Sequence, residues 1–155
     1  MNEDHDVVSL HPTYVVRMAR LDDCEAMADL AAQLGYSCTR EEVRLRLEEM
    51  QNPNAYAVFI AEDFGAEIAG WIGAYLFRSV ETESCVEISG LVVDEKMRSR
   101  GIGKILLQAA EQWARSLGCN TISVHSNIRR TRAHWFYVKN GYHHVKVQKE
   151  LHKLL

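Results

Sequence analysis

The chain has 155 residues and a formal net charge of −3 at pH 7, a size that suits one domain built around one core. So mild a charge argues against nucleic acid or an anionic membrane as partner, and apolar runs as short as Leu91–Val93 and Ile105–Leu107 cannot cross a bilayer. The cysteines Cys24, Cys38, Cys85 and Cys119 lack C-x-x-C spacing and the polar start Met1–Asp6 is unlike a targeting peptide, so reduced thiols and a cytoplasmic location are expected.

Residues 1–12 read as an N-terminal arm, and residues 13–155 as the folded domain. Tyr14–Met18 is a short β-type run. Asp22 is the expected N-cap of a helix whose apolar residues Cys24, Met27, Ala28, Leu30, Ala31 and Leu34 recur at helical spacing until Gly35. Thr39 and Glu42 form a capping box for a second helix that ends at Asn52–Pro53. Tyr56–Ala61, Glu67–Phe77 and Cys85–Val93 read as strands, with turn chemistry at Asp63–Ala66. Ile102, Leu106, Ala109, Ala110, Trp113 and Leu117 line one helical stripe closed by Gly118. Thr121–Ser126 is a strand, Arg130–Lys139 a helix closed by Asn140–Gly141, and Tyr142–Gln148 a returning strand. The order β-α-α-β-β-β-α-β-α-β predicts an α/β fold, a mixed central sheet with helices on both faces.

The most informative stretch runs from Leu91-Val92-Val93 to Arg98-Ser99-Arg100-Gly101-Ile102-Gly103-Lys104. A strand leads into a turn, and the turn opens a helix. Gly101 and Gly103 let an anion approach the backbone, and the helix start offers free N–H groups and the positive end of its dipole. Arg98, Arg100 and Lys104 add charge. This is a cradle for a pyrophosphate. It is not a Walker A loop, because Ile105 follows Lys104, and not a dinucleotide fingerprint, because Leu106 stands at the third glycine position.

Arg98-x-x-Gly101-x-Gly103 after that strand resembles the [QR]-x-x-G-x-[GA] motif of the GNAT (GCN5-related N-acetyltransferase) family. Asn127, Ala133, Phe136-Tyr137 and Gly141-Tyr142 resemble a second block of that family, although the gap between Asn127 and Ala133 is longer than the family pattern. Gln33-Leu34-Gly35-Tyr36 resembles its acceptor-side helix connection. The resemblance implies a GNAT fold, acetyl-CoA as co-substrate bound by Leu91, Val92, Val93, Arg98, Arg100, Gly101, Ile102, Gly103, Lys104 and Asn127, and transfer to a primary amine in a ternary complex. It places backbone N–H groups of Leu91, Val92 and Val93 as oxyanion donors, with Gly90 allowing a bulge. It also places Tyr137 as general acid for the departing thiolate.

Glu87 is the favoured base, with Val86 and Ile88 on the opposite face of its strand, and His125 is the other candidate. His134, His143, His144 and His152 offer no convincing ligand geometry, so no metal is expected. Eight acids on the first two helices, Asp22, Asp23, Glu25, Asp29, Glu41, Glu42, Glu48 and Glu49, would suit a cationic small-molecule amine, although a solvated face explains them as well. A protein lysine or N-terminal acetyltransferase and a non-catalytic acyl-CoA sensor are the alternatives. So little chain follows Gly141 that the last strand is expected to be short, bent or completed by a partner, which implies a homodimer.

Overall fold

The computed structural model describes the backbone of Val7–Leu10 and the whole of residues 13–155. Two compact units divide the chain, Met1–Val124 and His125–Leu155.

The first unit holds a sheet of strands β1 (Val7–Leu10), β2 (Tyr14–Met18), β3 (Tyr56–Asp63), β4 (Ile68–Phe77), β5 (Cys85–Val93) and β6 (Ile122–Val124), in that spatial order. Neighbours are antiparallel except β5 and β6, which run parallel. Helices α1 (Cys24–Leu34), α2 (Arg40–Glu49) and α3 (Ile102–Ser116) complete it. The arm expected over residues 1–12 thus contains a strand at Val7–Leu10, and the rest of that arm lies outside the described residues. Among the described residues no helix is long and apolar enough to cross a membrane.

Alternation along the strands sends successive side chains to opposite faces of the sheet. On one face Val58 and Ile60 pack with Cys24, Met27 and Leu47 of α1 and α2, joined by Trp71. The Trp71 indole donates to the Met27 carbonyl at 3.2 Å, fixing α1 to the sheet. On the other face α3 packs, burying Ile102, Ile105, Leu106, Leu107, Ala109 and Ala110. A Cβ on Gly70 would stand 3.3 Å from Leu106 Cδ1 and 2.6 Å from the Val92 carbonyl oxygen, so only glycine lets β4 lie this close. Helices therefore cover both faces, as the sequence pattern predicts.

Helix boundaries follow local chemistry. Thr39 and Glu42 make the expected capping box: the Glu42 amide donates to Thr39 Oγ1 at 3.2 Å and the Thr39 amide to Glu42 Oε2 at 2.7 Å. Gly35 ends α1 in the left-handed region, with φ of 101°. Asp22 is not the N-cap of α1. A 3₁₀ turn over Leu21–Asp23 leads into the helix instead, because the Asp23 carboxylate is held by the Arg20 amide and the Arg17 guanidinium.

The second unit holds helix α4 (Thr131–Lys139). Residues 142–155 carry no strand, so the expected strand at Tyr142–Gln148 is absent. Val145, Val147 and Leu151 are exposed, and strands need a paired neighbour and a buried face to persist.

Candidate active site

β5 carries the centre of the site. From Val86 to Ile88 it is paired on both sides, by β4 and by β6. Its register with β4 then slips: Ala74 faces Ile88 but Gly73 faces Gly90, so Ser89 is the extra residue of a bulge. A Cβ on Gly90 would stand 3.2 Å from the Trp71 ring, which accounts for glycine there. Pairing with β6 ends at Ile88–Val124, so among the described residues Leu91–Val93 pairs with β4 on one side only.

The direction of the free amides follows from one hydrogen bond. The Asp94 amide donates to the Ala69 carbonyl at 2.8 Å, toward β4. Successive amides of a strand point to opposite sides, so Val92 N–H also points to β4, and Leu91 and Val93 N–H point away from it. Of the three backbone groups expected to polarise a carbonyl, geometry leaves Leu91 and Val93 aimed at the open edge. Val92 is committed to the ladder opposite Trp71.

The cradle continues directly from this edge. A 3₁₀ turn over Glu95–Met97 follows β5, its first amides capped by side chains: Lys96 N–H donates to Asp94 Oδ1 at 2.8 Å and Glu95 N–H to Gln33 Oε1 at 3.0 Å. Arg98 is extended, and its Nε donates to the Val93 carbonyl at 3.3 Å, which holds the guanidinium at the open edge. Ser99 and Gly101 both have positive φ, 65° and 82°. Gly101 accepts this without strain and serves as N-cap of α3, whereas Ser99 stores some strain in the turn. The first intrahelical bond is Ile105 N–H to the Gly101 carbonyl at 3.2 Å. The amides of Ile102, Gly103 and Lys104 precede it and so have no partner within the helix. Ile102 buries its side chain while its amide faces the turn, and Arg98, Arg100 and Lys104 are exposed around it. These residues fit a pyrophosphate: free amides, a helix N-terminus and three cations converge on one turn.

Glu87 pairs with Tyr75 across the β4–β5 ladder, on the face that carries Trp71. Val86 and Ile88 are buried on the opposite face. The Tyr75 hydroxyl is pushed up to about 12, first by burial and then by its hydrogen bond to Glu87. Tyr75 is not legible as a site residue, because its place opposite Glu87 comes from the pairing of β4 with β5 and has no local signal. Glu87 lies four positions before Leu91, roughly 13 Å of strand at ~3.3 Å per residue.

Part of the acidity of α1, α2 and the turn before them is spent within the fold. Arg17 neutralises Asp23, Glu42 caps α2, and Arg44 pairs with both Glu41 and Glu48. The cysteines are free, and burial raises the Cys24 and Cys85 thiols, which makes them poor nucleophiles. Among the described residues no three His, Cys, Asp or Glu side chains converge as metal ligands.

Asn127 and Tyr137 belong to the second unit. Asn127 Oδ1 accepts from the Arg129 amide at 2.9 Å and its carbonyl from the Arg130 amide at 2.9 Å, so its side chain shapes the turn into α4. His125 is exposed just before that turn. Tyr137 is buried, with its ring edge-on to Phe136 at 5.2 Å and tilted against Tyr142 at 5.4 Å. Burial pushes its phenol up to about 12, against a smaller opposing effect of Arg130.

A six-stranded mixed sheet whose β5 parts from β6 after Ile88 and turns into α3 is the α/β fold of the acetyltransferase class. The model of the acetyltransferase (GNAT) family matches residues 23–142. An uncharacterized N-acetyltransferase of Bacillus subtilis is 30% identical over 126 residues, covering 79% of this chain and 88% of that protein. The chain belongs to the GNAT family and is an acetyl-CoA-dependent N-acetyltransferase. An aminoalkylphosphonate N-acetyltransferase of Salmonella typhimurium is 38% identical over 77 residues, 49% of this chain and 50% of that one. The fold also matches AAC(6')-Iy, solved with a CoA bisubstrate analogue, with a TM-score of 0.79, 20% identity and coverage of 92% and 99% of the two chains.

Proposed function

We propose that the protein acetylates the primary amine of a small molecule by direct transfer from acetyl-CoA in a ternary complex. The observation that carries this is the continuity of the open β5 edge with the cradle at Gly101–Lys104. A pyrophosphate on the amides of Ile102, Gly103 and Lys104, flanked by Arg98 and Arg100, leaves the pantetheine arm to run back along Val93. The thioester then lies at Leu91, whose N–H polarises the carbonyl and stabilises the oxyanion. The amine nitrogen attacks the carbonyl carbon, the C–N bond forms and the C–S bond breaks. The amine proton passes to Glu87 through water, since the strand distance forbids direct contact for a small amine. Tyr137 supplies the proton to the sulfur. Asn127, by its place in the turn into α4, orients that helix.

The small-molecule acceptor draws support from a relative named for aminoalkylphosphonates and from fold neighbours named as aminoglycoside 6'-N-acetyltransferases. A cytoplasmic location agrees with the thiols and with the cellular supply of acetyl-CoA. The exposed residues 143–155 favour a homodimer in which they find a partner. Light scattering at micromolar concentration is expected to give twice the chain mass, and a fully active monomer would refute it.

The cofactor assignment has a direct check. Saturating acetyl-CoA is expected to raise the melting temperature by several degrees, by mass action on the folded state, while ATP and NAD leave it unchanged. Gly103→Val places a branched side chain where the phosphate approaches and is expected to abolish the shift. Equal stabilisation by ATP overturns the assignment. A panel of amines, followed by free thiol release, then identifies the acceptor.

A further inference from the structure

We propose that Gln33 is a positioning residue that couples acetyl-CoA binding to the acceptor-side connection between α1 and α2. The inference rests on the reading of the Glu95–Lys104 turn as the pyrophosphate site and, by the family resemblance, of the Gly35–Cys38 connection as the acceptor side.

Two ties join the last turn of α1 to the reactive end of β5. Gln33 Oε1 accepts the Glu95 amide at 3.0 Å across 62 positions of sequence. That amide opens the 3₁₀ turn and has no other partner within it, because the turn's own cap, Asp94, takes the next amide. Leu34 Cδ2 stands 3.7 Å from where a Cβ of Gly90 would be, so it packs over the bulge. The chain then reverses at Gly35 and, after three residues, is caught again by the Thr39–Glu42 box. The segment Gly35–Cys38 is thus a short bridge between two fixed points. One of those points is held by the turn on which the pyrophosphate sits.

The consequence follows from the geometry. Fixing Glu95–Lys104 on an anion fixes the donor that holds Gln33, and with it the start of the Gly35–Cys38 connection. The tie from Trp71 to Met27 holds α1 two turns earlier and does not depend on the turn. Gln33 is therefore the contact through which cofactor occupancy reaches the acceptor side. By linkage, an acceptor that orders the connection tightens acetyl-CoA by the same factor.

Hydrogen–deuterium exchange of the full chain, with and without CoA, tests this. In the wild type, CoA is expected to slow exchange at residues 98–104 and, about fivefold, at residues 36–39, the factor that one net hydrogen bond supplies. Gln33→Met keeps the length and helix propensity but removes the acceptor. It is expected to keep CoA protection at residues 98–104 and to lose it at residues 36–39. A purely structural role would speed exchange at residues 36–39 equally with and without CoA, and that result overturns the proposal. So does protection of the turn without the connection in the wild type, or a full response in Gln33→Met. If CoA protects neither segment, the pyrophosphate site itself is wrong and the coupling falls with it.

Discussion

Arg17→Met is expected to cost roughly 3–5 kcal/mol of folding stability, the range for removing one member of a buried ion pair. Arg17 and Asp23 are each only 6% exposed. The guanidinium donates twice to Asp23, at 2.9 and 2.9 Å, and twice to Glu62, at 2.9 and 2.8 Å, with a further bond to the Met18 carbonyl at 3.0 Å. Burial alone would lower its pKa, but the bonds and charges of Asp23 and Glu62 outweigh that and raise it. It stays charged at every accessible pH. The cluster ties β2, β3 and the entry to α1 together. Methionine fills much of the volume but strands two carboxylates that have lost their counter-charge. For a domain of this size each kcal/mol moves the midpoint by about 2–4 °C, so a fall of roughly 6–20 °C is expected in calorimetry. Arg17→Met with Asp23→Asn and Glu62→Gln removes the stranded charges and should recover part of the loss. A single variant within about 1 kcal/mol of wild type would mean that the cluster is dispensable.

The legible parts of this molecule are those fixed by local chemistry. The Thr39–Glu42 box, the glycine stop at Gly35 and the α3 stripe each depend on a few neighbouring residues, and each stands where the pattern places it. The turn from Val93 to Lys104 is one continuous segment, and its strand-to-helix course follows from neighbouring residues such as Gly101. What could not be read depends on pairing between distant segments. The pairing of Glu87 with Tyr75 comes from β4, and the bulge at Ser89 then shifts the register so that Leu91 faces Ile72 and Val92 faces Trp71. Asp22 looks like a cap, but the Arg17 guanidinium and the Arg20 backbone amide draw Asp23 into a different turn. The tail from Tyr142 alternates like a strand, yet alternation says only that a strand could form if an edge received it. The Gln33–Glu95 bond joins residues 62 apart, and no local signal announces it.

Tyr137→Phe is expected to lower kcat by about 10²–10⁴-fold, the usual contribution of a positioned acid, and to leave CoA affinity nearly unchanged because the ring is kept. The side chain is buried and its phenol is held at about 12, so it is protonated wherever the acceptor amine can be free. So weak an acid gives little to a neutral thioester sulfur. Its donation strengthens only as the C–S bond breaks and charge accumulates, which places the effect on turnover and not on binding. The same shift has a sign in stability. The folded state holds the proton more tightly than the unfolded chain, whose tyrosine titrates near 10. The contribution is therefore complete below pH ~10 and lost as pH rises from ~10 toward ~12. Tyr137→Phe should flatten that alkaline loss in thermal unfolding. Glu87→Gln should behave differently, slowing the reaction most at low pH, where the acceptor is mostly ammonium and a base is needed most. Steady-state kinetics across pH on the best amine of the panel, with calorimetric CoA binding, separates the two. If Tyr137→Phe keeps wild-type turnover, the sulfur receives its proton from solvent and Tyr137 is a packing residue of α4.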